Sequence, residues 1–436
     1  MKIKFLSPRI LRLVFLAALP HAGGTAITSP AHIYETLDQV YAWQAERLEP
    51  HRNQSIIGWK HATFYTGVME LYRATGRSEY IDLLREIAED HNWRMLTVNQ
   101  LQWRHADNHL IGETYINLFL EDADASPIRL MHVNQIFSNM IAQPIPGRQI
   151  YNWCDALFMS PPVWAQLAAL REDDVYLREL DDLWWDATDF LYDPEHRLYF
   201  RDADYFNALE PNGMPVFWGR GNGWVMGGLV RVLQYMPGHH GGRQAYVDLF
   251  VEMAEKIADI QMDNGAWATS LLYPERFDFE PEMSATGFFV YSLAWGINNG
   301  LLSKDRFGPV VETGWATMND FLEPDGSIRK IQAVGKDPVP WDGGVEQREY
   351  GYGAFILAGI EMASYYKEKA NLSTWHGFDV ITHMNGTQWV DSGSYLGMVE
   401  VSRHPYVYSE TLGAWLYAPE DEGLYTEAGA WVRFLR

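Results

Sequence analysis

Apolar residues recur at steps of three and four along most of the chain, as in Tyr352, Phe355, Ile356, Gly359, Ile360 and Ala363, which is the period of a helix with one buried face. The pattern predicts helices near residues 31–47, 56–74, 79–97, 107–121, 124–142, 152–170, 173–191, 220–236, 241–262, 283–300, 304–320 and 350–367. Gly, Pro, Asn and Asp punctuate them, at Ala74-Thr75-Gly76, Asp193-Pro194-Glu195, Pro237-Gly238 and Asn298-Asn299-Gly300. Twelve helices make six hairpins, and their unequal lengths favour closure into an all-α (α/α)6 barrel over a stacked sequence repeat. Beyond residue 370 the period shortens. Gln388–Val390, Tyr395–Val399, Pro405–Tyr408, Ala414–Tyr417 and Ala430–Phe434 read as strands of a small antiparallel sheet. The chain therefore divides into a leader at residues 1–26, a helical domain at 27–370 and an aromatic-rich β extension at 371–436. The extension reads equally as a packing cap or as a surface or sugar contact.

The leader has Lys2, Lys4, Arg9 and Arg12 around the apolar run Leu13 to Leu19, then the small residues that end at Ala26. That is the pattern of a secretory signal, with an apolar region too short to span a bilayer, so an exported protein, periplasmic or secreted and with no transmembrane segment, is expected. Acids outnumber bases 57 to 34, for a net charge of −23. Such a balance argues against nucleic acid or an anionic membrane as a partner. Cys154 is the sole cysteine, which excludes an intrachain disulfide and a cysteine zinc site and leaves a small buried hydrophobe as the simplest reading. The chain holds 18 Trp, 24 Tyr and 20 Phe, residues that serve both cores and sugar-stacking faces.

A toroid of helical hairpins binds ligands in its central cavity, so polar and aromatic residues bunched at helix starts are the candidates. One bunch runs from Tyr151 through Asn152, Trp153, Cys154 and Asp155 to Ser160-Pro161-Pro162. Asn152 is placed to cap a helix, which puts Asp155 at its third position; that acid either complements the helix dipole or does chemistry. A second bunch, Phe217-Trp218-Gly219-Arg220-Gly221-Asn222-Gly223-Trp224, lacks the Lys-Ser/Thr ending and preceding strand of a phosphate loop. Its glycines allow close backbone approach, Arg220 offers a planar fork to a carboxylate, and Trp218 or Trp224 offers a stacking face. In a third, Trp103-Arg104-His105-Ala106-Asp107-Asn108-His109, residues His105, His109 and Glu113 have metal-ligand spacing. Ala106 breaks the zincin pattern, and Asp107 or Asn108 is equally placed to cap the next helix, so neither metal nor cofactor is expected.

The ordered set Trp153–Met159 with Pro161-Pro162, Phe217–Trp224, Ser284–Phe289 with Ala294–Gly300, and Tyr350–Phe355 resembles glycoside hydrolase family 105 and, more distantly, family 88. These are the unsaturated rhamnogalacturonyl and glucuronyl hydrolases, and the likeness runs over residues 31 to 368. The resemblance implies an (α/α)6 barrel that removes a 4,5-unsaturated uronic acid from the non-reducing end of lyase-generated oligosaccharides by hydrating the double bond. It implies that Asp155 protonates C4 and activates the water that adds at C5, and that Asp107 positions water and sugar hydroxyls. Arg220 and Trp224 would hold the uronate, with Trp153 lining the floor. Lys60, His61 and His105 are similarly placed to meet the ligand. Where a subset of the family has a sugar-contacting histidine, this chain has Arg201, suited either to a sulfated neighbour or to a surface pair with Asp202 or Asp204. A carboxyl in a first helical turn is held ionised by the dipole, yet the first step needs a proton, so burial beside Trp153 and the charge of Asp107 must outweigh about 0.3 to 1 kcal/mol.

Two other readings fit the same residues. An inverting hydrolase or lyase of the same toroid would use Asp107 and Asp155 as acid and base, about 6.5–9.5 Å apart in the inverting case. A sugar-binding protein without catalysis would rely on residues 375 to 436 for retention.

Overall fold

The computed structural model describes residues 28–48, 53–96 and 102–367, together with short strands between 374 and 434. The leader and parts of the extension lie outside the described residues. The helices are α1 (Pro30–Ala45), α2 (Trp59–Thr75), α3 (Ser78–Asp90), α4 (Leu110–Leu120), α5 (Met131–Ala142), the single turns α6 (Gly147–Ile150) and α7 (Ala156–Met159), α8 (Pro161–Arg171), α9 (Val175–Leu191), α10 (Gly219–Tyr235), α11 (Arg243–Asp259), α12 (Met283–Asn298), α13 (Lys304–Asp320) and α14 (Glu349–Tyr366). Apart from the two single turns, they correspond one for one to the helices expected from periodicity.

Inner and outer helices alternate along the chain. Helices α2, α4, α8, α10, α12 and α14 pack in a closed ring, each against the next and α14 back onto α2. Outside it, α1 covers α14, α3 covers α2, α9 covers α8, α11 covers α10 and α13 covers α12. The sequence encodes the two layers differently. The outer α9 buries one stripe, Tyr176, Leu177, Leu180, Leu183, Trp184, Ala187, Thr188 and Leu191, whereas α12 is buried continuously from Met283 to Gly296. Glycine lets the inner layer close: a β-carbon on Gly353 would sit 2.4 Å from the Thr63 carbonyl oxygen, and one on Gly228 would sit 2.3 Å from that of Leu157.

The inner helices run parallel. Trp59, at the start of α2, meets Trp224 and Tyr350 in the first turns of α10 and α14, and Trp224 meets Phe288 of α12. Near the other end Arg231 of α10 reaches Glu70 of α2. The N-terminal turns of α2, α10, α12 and α14 therefore face one mouth of the toroid, and the His109–Ser160 contact brings the starts of α4 and α8 together.

Several boundaries differ from the periodicity. The helix expected at 152–170 breaks at Ser160, because Pro161 and Pro162 supply no N–H to a continuing helix and instead open α8. Residues 102–108 form two 3-10 turns, Gln102–Arg104 and Ala106–Asn108, ahead of α4. Helix α3 stops at Asp90, where Asn92 and Trp93 adopt positive φ.

A hairpin pairs β1 (Tyr192–Asp193) with β2 (Leu198–Tyr199). Among its described residues the extension forms a seven-stranded antiparallel meander in chain order: β3 (Thr374–Trp375), β4 (Phe378–Thr382), β5 (Gln388–Asp391), β6 (Met398–Glu400), β7 (Tyr406–Ser409), β8 (Ala414–Tyr417) and β9 (Arg433–Phe434). Its first two strands were not among those expected.

Candidate active site

The turn that carries Asp155 is held from behind. The Cys154 amide donates to the Arg201 carbonyl at 2.8 Å, and Trp153 bridges to Asp202. Asp155 immediately precedes α7 in helical backbone and makes no side-chain cap. Asn152 is not a cap, and Asp155 is not at the third position of a helix, so the expected conflict with a strong helix dipole does not arise. Its carboxylate lies 3.6 Å from Arg201 Nε, and the Cys154 thiol donates to it at 3.5 Å. Cys154 itself is buried, and burial pushes its thiol well above the ordinary range, as expected of a packing residue.

Asp107 sits in the second 3-10 turn. Asn108 is tied by its amide to the Gln102 carbonyl at 2.9 Å, so neither residue caps α4. His105 lies 3.9 Å from the Asp107 carboxylate, and its ring packs on Trp153 at 4.9 Å. Burial pushes the Asp107 carboxyl up to about 7; the charge of Asp155 adds to this and Arg201 opposes it. The same burial raises Asp155 against the pull of Arg201 and Arg220. Two facing carboxyls that resist ionisation can keep a proton available at neutral pH, which is what a general acid requires.

The second bunch, Phe217 to Trp224, contributes cations and walls rather than stacking faces. Arg220, 1% exposed, donates to the carbonyls of Gln332 at 3.1 Å and Ala333 at 2.9 Å, and its guanidinium lies over the rings of Trp218 and Tyr350. Its Nε is buried without a partner. Trp218 is covered by that guanidinium and donates its indole N–H to Gln332 at 2.8 Å. Trp224 is fully buried between Phe158 and Phe288, with its indole N–H unpartnered. Neither indole presents a face for a sugar, a correction to the expected stacking. Both are enclosed because α10 is buried on every side through its first four turns. Trp153 remains half-buried beside His105.

Arg201 takes neither expected role in pure form. It pairs with Asp202 at 2.5 Å, and it also faces Asp155 rather than open solvent. Lys60 and His61 lie in the first turn of α2. His61 Nε2 is 3.4 Å from Glu349, both side chains are buried, and burial lowers the histidine pKa against the pull of Glu349. The metal spacing disperses: His109 bonds Ser160 and the Trp103 carbonyl, and Glu113 pairs with Arg231. Among the described residues no three His, Cys, Asp or Glu side chains form a metal site.

Sequence reasoning missed Gln332 and Glu282. Glu282 caps α12 on the amides of Ser284 and Ala285 and also accepts from the Gln332 amide at 3.0 Å. The Gln332 carbonyl accepts from both Arg220 and the Tyr350 hydroxyl. The strap around residue 332 has no helical or strand period, so no pattern marked it. A Glu one residue ahead of Met283-Ser284-Ala285 was the available signal for the cap.

The family model of glycosyl hydrolase family 88 matches residues 35–366, and this is one of the two families that the motifs resemble. An unsaturated 3S-rhamnoglycuronyl hydrolase of Alteromonas sp. (strain LOR) is 34% identical over 341 residues, covering 73% of this chain and 81% of that protein. A protein of the same name from Formosa agariphila is 34% identical over 321 residues, covering 70% and 84%. The solved structure of a glycosyl hydrolase family 88 protein from Bacteroides vulgatus superposes with a TM-score of 0.71 at 29% identity, over 77% of this chain and 99% of that one. It shares the (α/α)6 toroid found here. The chain belongs to glycosyl hydrolase family 88 and is a glycoside hydrolase.

Proposed function

We propose that the enzyme removes a 4,5-unsaturated uronic acid from the non-reducing end of lyase-generated oligosaccharides. The observation that carries this reading is the pair Asp155 and Asp107, both raised by burial and close enough for the charge of Asp155 to act on Asp107, beside Arg201 and Arg220. Asp155 gives its proton to C4 as the C4–C5 π bond is consumed. Water then adds to C5 and returns a proton to the Asp155 carboxylate. The resulting hemiketal opens and releases the neighbouring sugar, so the proton is recycled and one water is consumed. Asp107 places the water and the sugar hydroxyls.

The uronate carboxylate is an anion in a protein of net charge −23. Arg220 and the positive ends of the inner helices supply local attraction, each helix end worth about half a charge. Names of the two relatives favour a sulfated rhamnose behind the uronate, as in an ulvan-type fragment, over a rhamnogalacturonan fragment. The leader pattern supports export. Recovery of a chain starting near residue 27 from the periplasm or medium checks it; a cytoplasmic chain that keeps Met1 overturns it.

The decisive assay follows loss of the enoate ultraviolet absorbance on sulfated and desulfated lyase products. No loss on any unsaturated substrate overturns the function, and activity that persists in Asp155→Asn overturns the mechanism. Preference for the desulfated product overturns the sulfated-neighbour reading alone.

A further inference from the structure

A buried chain of hydrogen bonds links the segment carrying Asp107 to the turn carrying Asp155. Trp164 Nε1 lies 3.1 Å from the Tyr151 hydroxyl, Tyr151 lies 2.6 Å from Ser160 Oγ, Ser160 Oγ lies 2.7 Å from His109 Nδ1, and His109 Nε2 lies 2.8 Å from the Trp103 carbonyl oxygen. All four side chains are fully buried.

The direction of every proton follows from the two ends. A carbonyl only accepts, so His109 carries its hydrogen on Nε2 and donates to Trp103. An indole only donates, so Tyr151 accepts from Trp164. A neutral imidazole with hydrogen on Nε2 accepts at Nδ1, so the Ser160 hydroxyl donates there, and the Tyr151 hydroxyl in turn donates to Ser160. Burial lowers the His109 pKa to about 4, which keeps the ring neutral at working pH and preserves this order.

The placement of the links gives the chain a purpose. Trp103 and His109 bracket Asp107, and Tyr151 and Ser160 bracket Asp155. The Ser160–His109 hydrogen bond joins the two brackets from the buried side, His105 packs on Trp153 across them, and packing of Phe137 against His109 and Trp164 closes the space around the bond.

We propose that His109 and Ser160 are positioning residues that hold the Asp107 carboxyl against Asp155 without touching substrate. The proposal rests on the assignment of that pair as the acid machinery. Loss of the link separates the two carboxyls. Asp107, Asp155, Arg201, Arg220, His105 and the Cys154 thiol are the titratable and charged groups that face one another there. With Asp155 farther away, Asp107 ionises more readily.

The test compares Ser160→Ala, His109→Gln and Tyr151→Phe on an unsaturated disaccharide, with melting temperature measured alongside. His109→Gln keeps an N–H donor near the Trp103 carbonyl and leaves no acceptor at the Nδ1 position that Ser160 meets. In Ser160→Ala and His109→Gln, kcat per folded molecule falls about ten- to a hundredfold, KM stays within about twofold, and the pH limb near 7 moves to lower pH. Tyr151→Phe leaves the Ser160–His109 contact in place and stays within about threefold of wild type. Wild-type kcat and an unmoved pH limb in Ser160→Ala or His109→Gln overturn the proposal. A kcat loss that disappears on correction for folded fraction, or a loss in Tyr151→Phe equal to that in Ser160→Ala, overturns it too. Asp155→Asn serves as the control: if it is inactive while Ser160→Ala is unaffected, the positioning link fails alone, and if it is active, the assignment of the acid fails.

Discussion

Toward the other end of the toroid, Arg231 of α10 is fully buried with its guanidinium on Glu113, in the first turn of α4, and, at 2.8 Å, on Glu70 of α2. Arg73 joins Glu70 to Asn117, and Tyr235 accepts from both arginines. At the mouth of the toroid, Asp155 and Asp107 face each other with Arg201 and Arg220 alongside. The composition of the two clusters is similar, but the arginines are used differently. Burial alone would raise the Glu70 carboxyl, yet Arg73 and Arg231 outweigh it and hold it below its ordinary value. At the mouth Arg201 is shared with Asp202, and Arg220 is turned onto backbone carbonyls, so burial wins and both aspartates are raised. The far cluster ties helices together through Arg231 and holds Glu70 ionised, although burial still raises Glu113 and Glu361 there; the mouth leaves both of its facing aspartates raised, which keeps a labile proton at that end. The comparison also shows why buried charge by itself does not mark a catalytic site.

The largest expected effect is in the mouth. Asp155→Asn should lower kcat by about 10²–10⁴-fold, the usual worth of a general acid–base group, with little change in unfolding midpoint. An unchanged rate in the enoate assay would remove the distinction between the clusters.

At the far end, Arg231→Met should lose about 3–5 kcal/mol of stability, because it leaves Glu113 buried without its partner. Denaturant titration measures this, and kcat per folded molecule should stay at the wild-type value. A rate defect beyond the loss of folded protein would mean the two ends are coupled.

A sharper contrast uses two carboxyls raised to about 7, one at each end: Asp107 and Glu361. Burial is the leading cause for both. A raised folded-state pKa means a stability contribution that is complete below the unfolded value near 4 and is lost as pH rises through about 7. By pH 8 the amount lost is at most about 4 kcal/mol for Asp107 and about 3 kcal/mol for Glu361. Asp107→Asn and Glu361→Gln should therefore both gain stability over wild type as pH rises from 4 to 8. Only Asp107→Asn should lose activity. Melting curves and rates across that range test the pair.

The smallest effect concerns Arg201. Its charge lowers the Asp155 pKa that burial raises. Arg201→Gln should move the alkaline limb of the rate profile up by about one pH unit, since the acid then keeps its proton longer. No movement would show that Asp202 already neutralises the arginine.

The outer layer of the toroid was legible because an outer helix has water on one side, so α9 displays its buried stripe at steps of three and four. The inner helices α10 and α12 lack that contrast, being enclosed on all sides, and α14, whose steps of three and four read as one buried face, is in fact buried almost all round through Gly359. The break at Ser160 was visible as Pro161-Pro162, but its result, a separate turn that frees Asp155 from a helix interior, was not. Trp218 and Trp224 show the opposite error. An aromatic residue beside glycines reads as a sugar platform until the partners that cover it, Arg220, Phe158 and Phe288, are known. Phe158 and Phe288 are distant in sequence, as are the Gln332 and Ala333 carbonyls that hold Arg220 over Trp218, and no local pattern carries them.

From the sequence alone came the helical hairpins, the change of period near residue 370, the export pattern and the residues Asp107, Asp155 and Arg220, because each rests on local spacing or on an ordered motif. Which charges face one another was decided only in three dimensions. Arg201 meets Asp155, Gln332 pins Arg220, and His109 joins Ser160 instead of a metal, since these contacts depend on closure of the ring. Closure also sets the burial that governs each carboxyl's proton, and desolvation is a property of the whole packed environment rather than of any residue's neighbours in the chain.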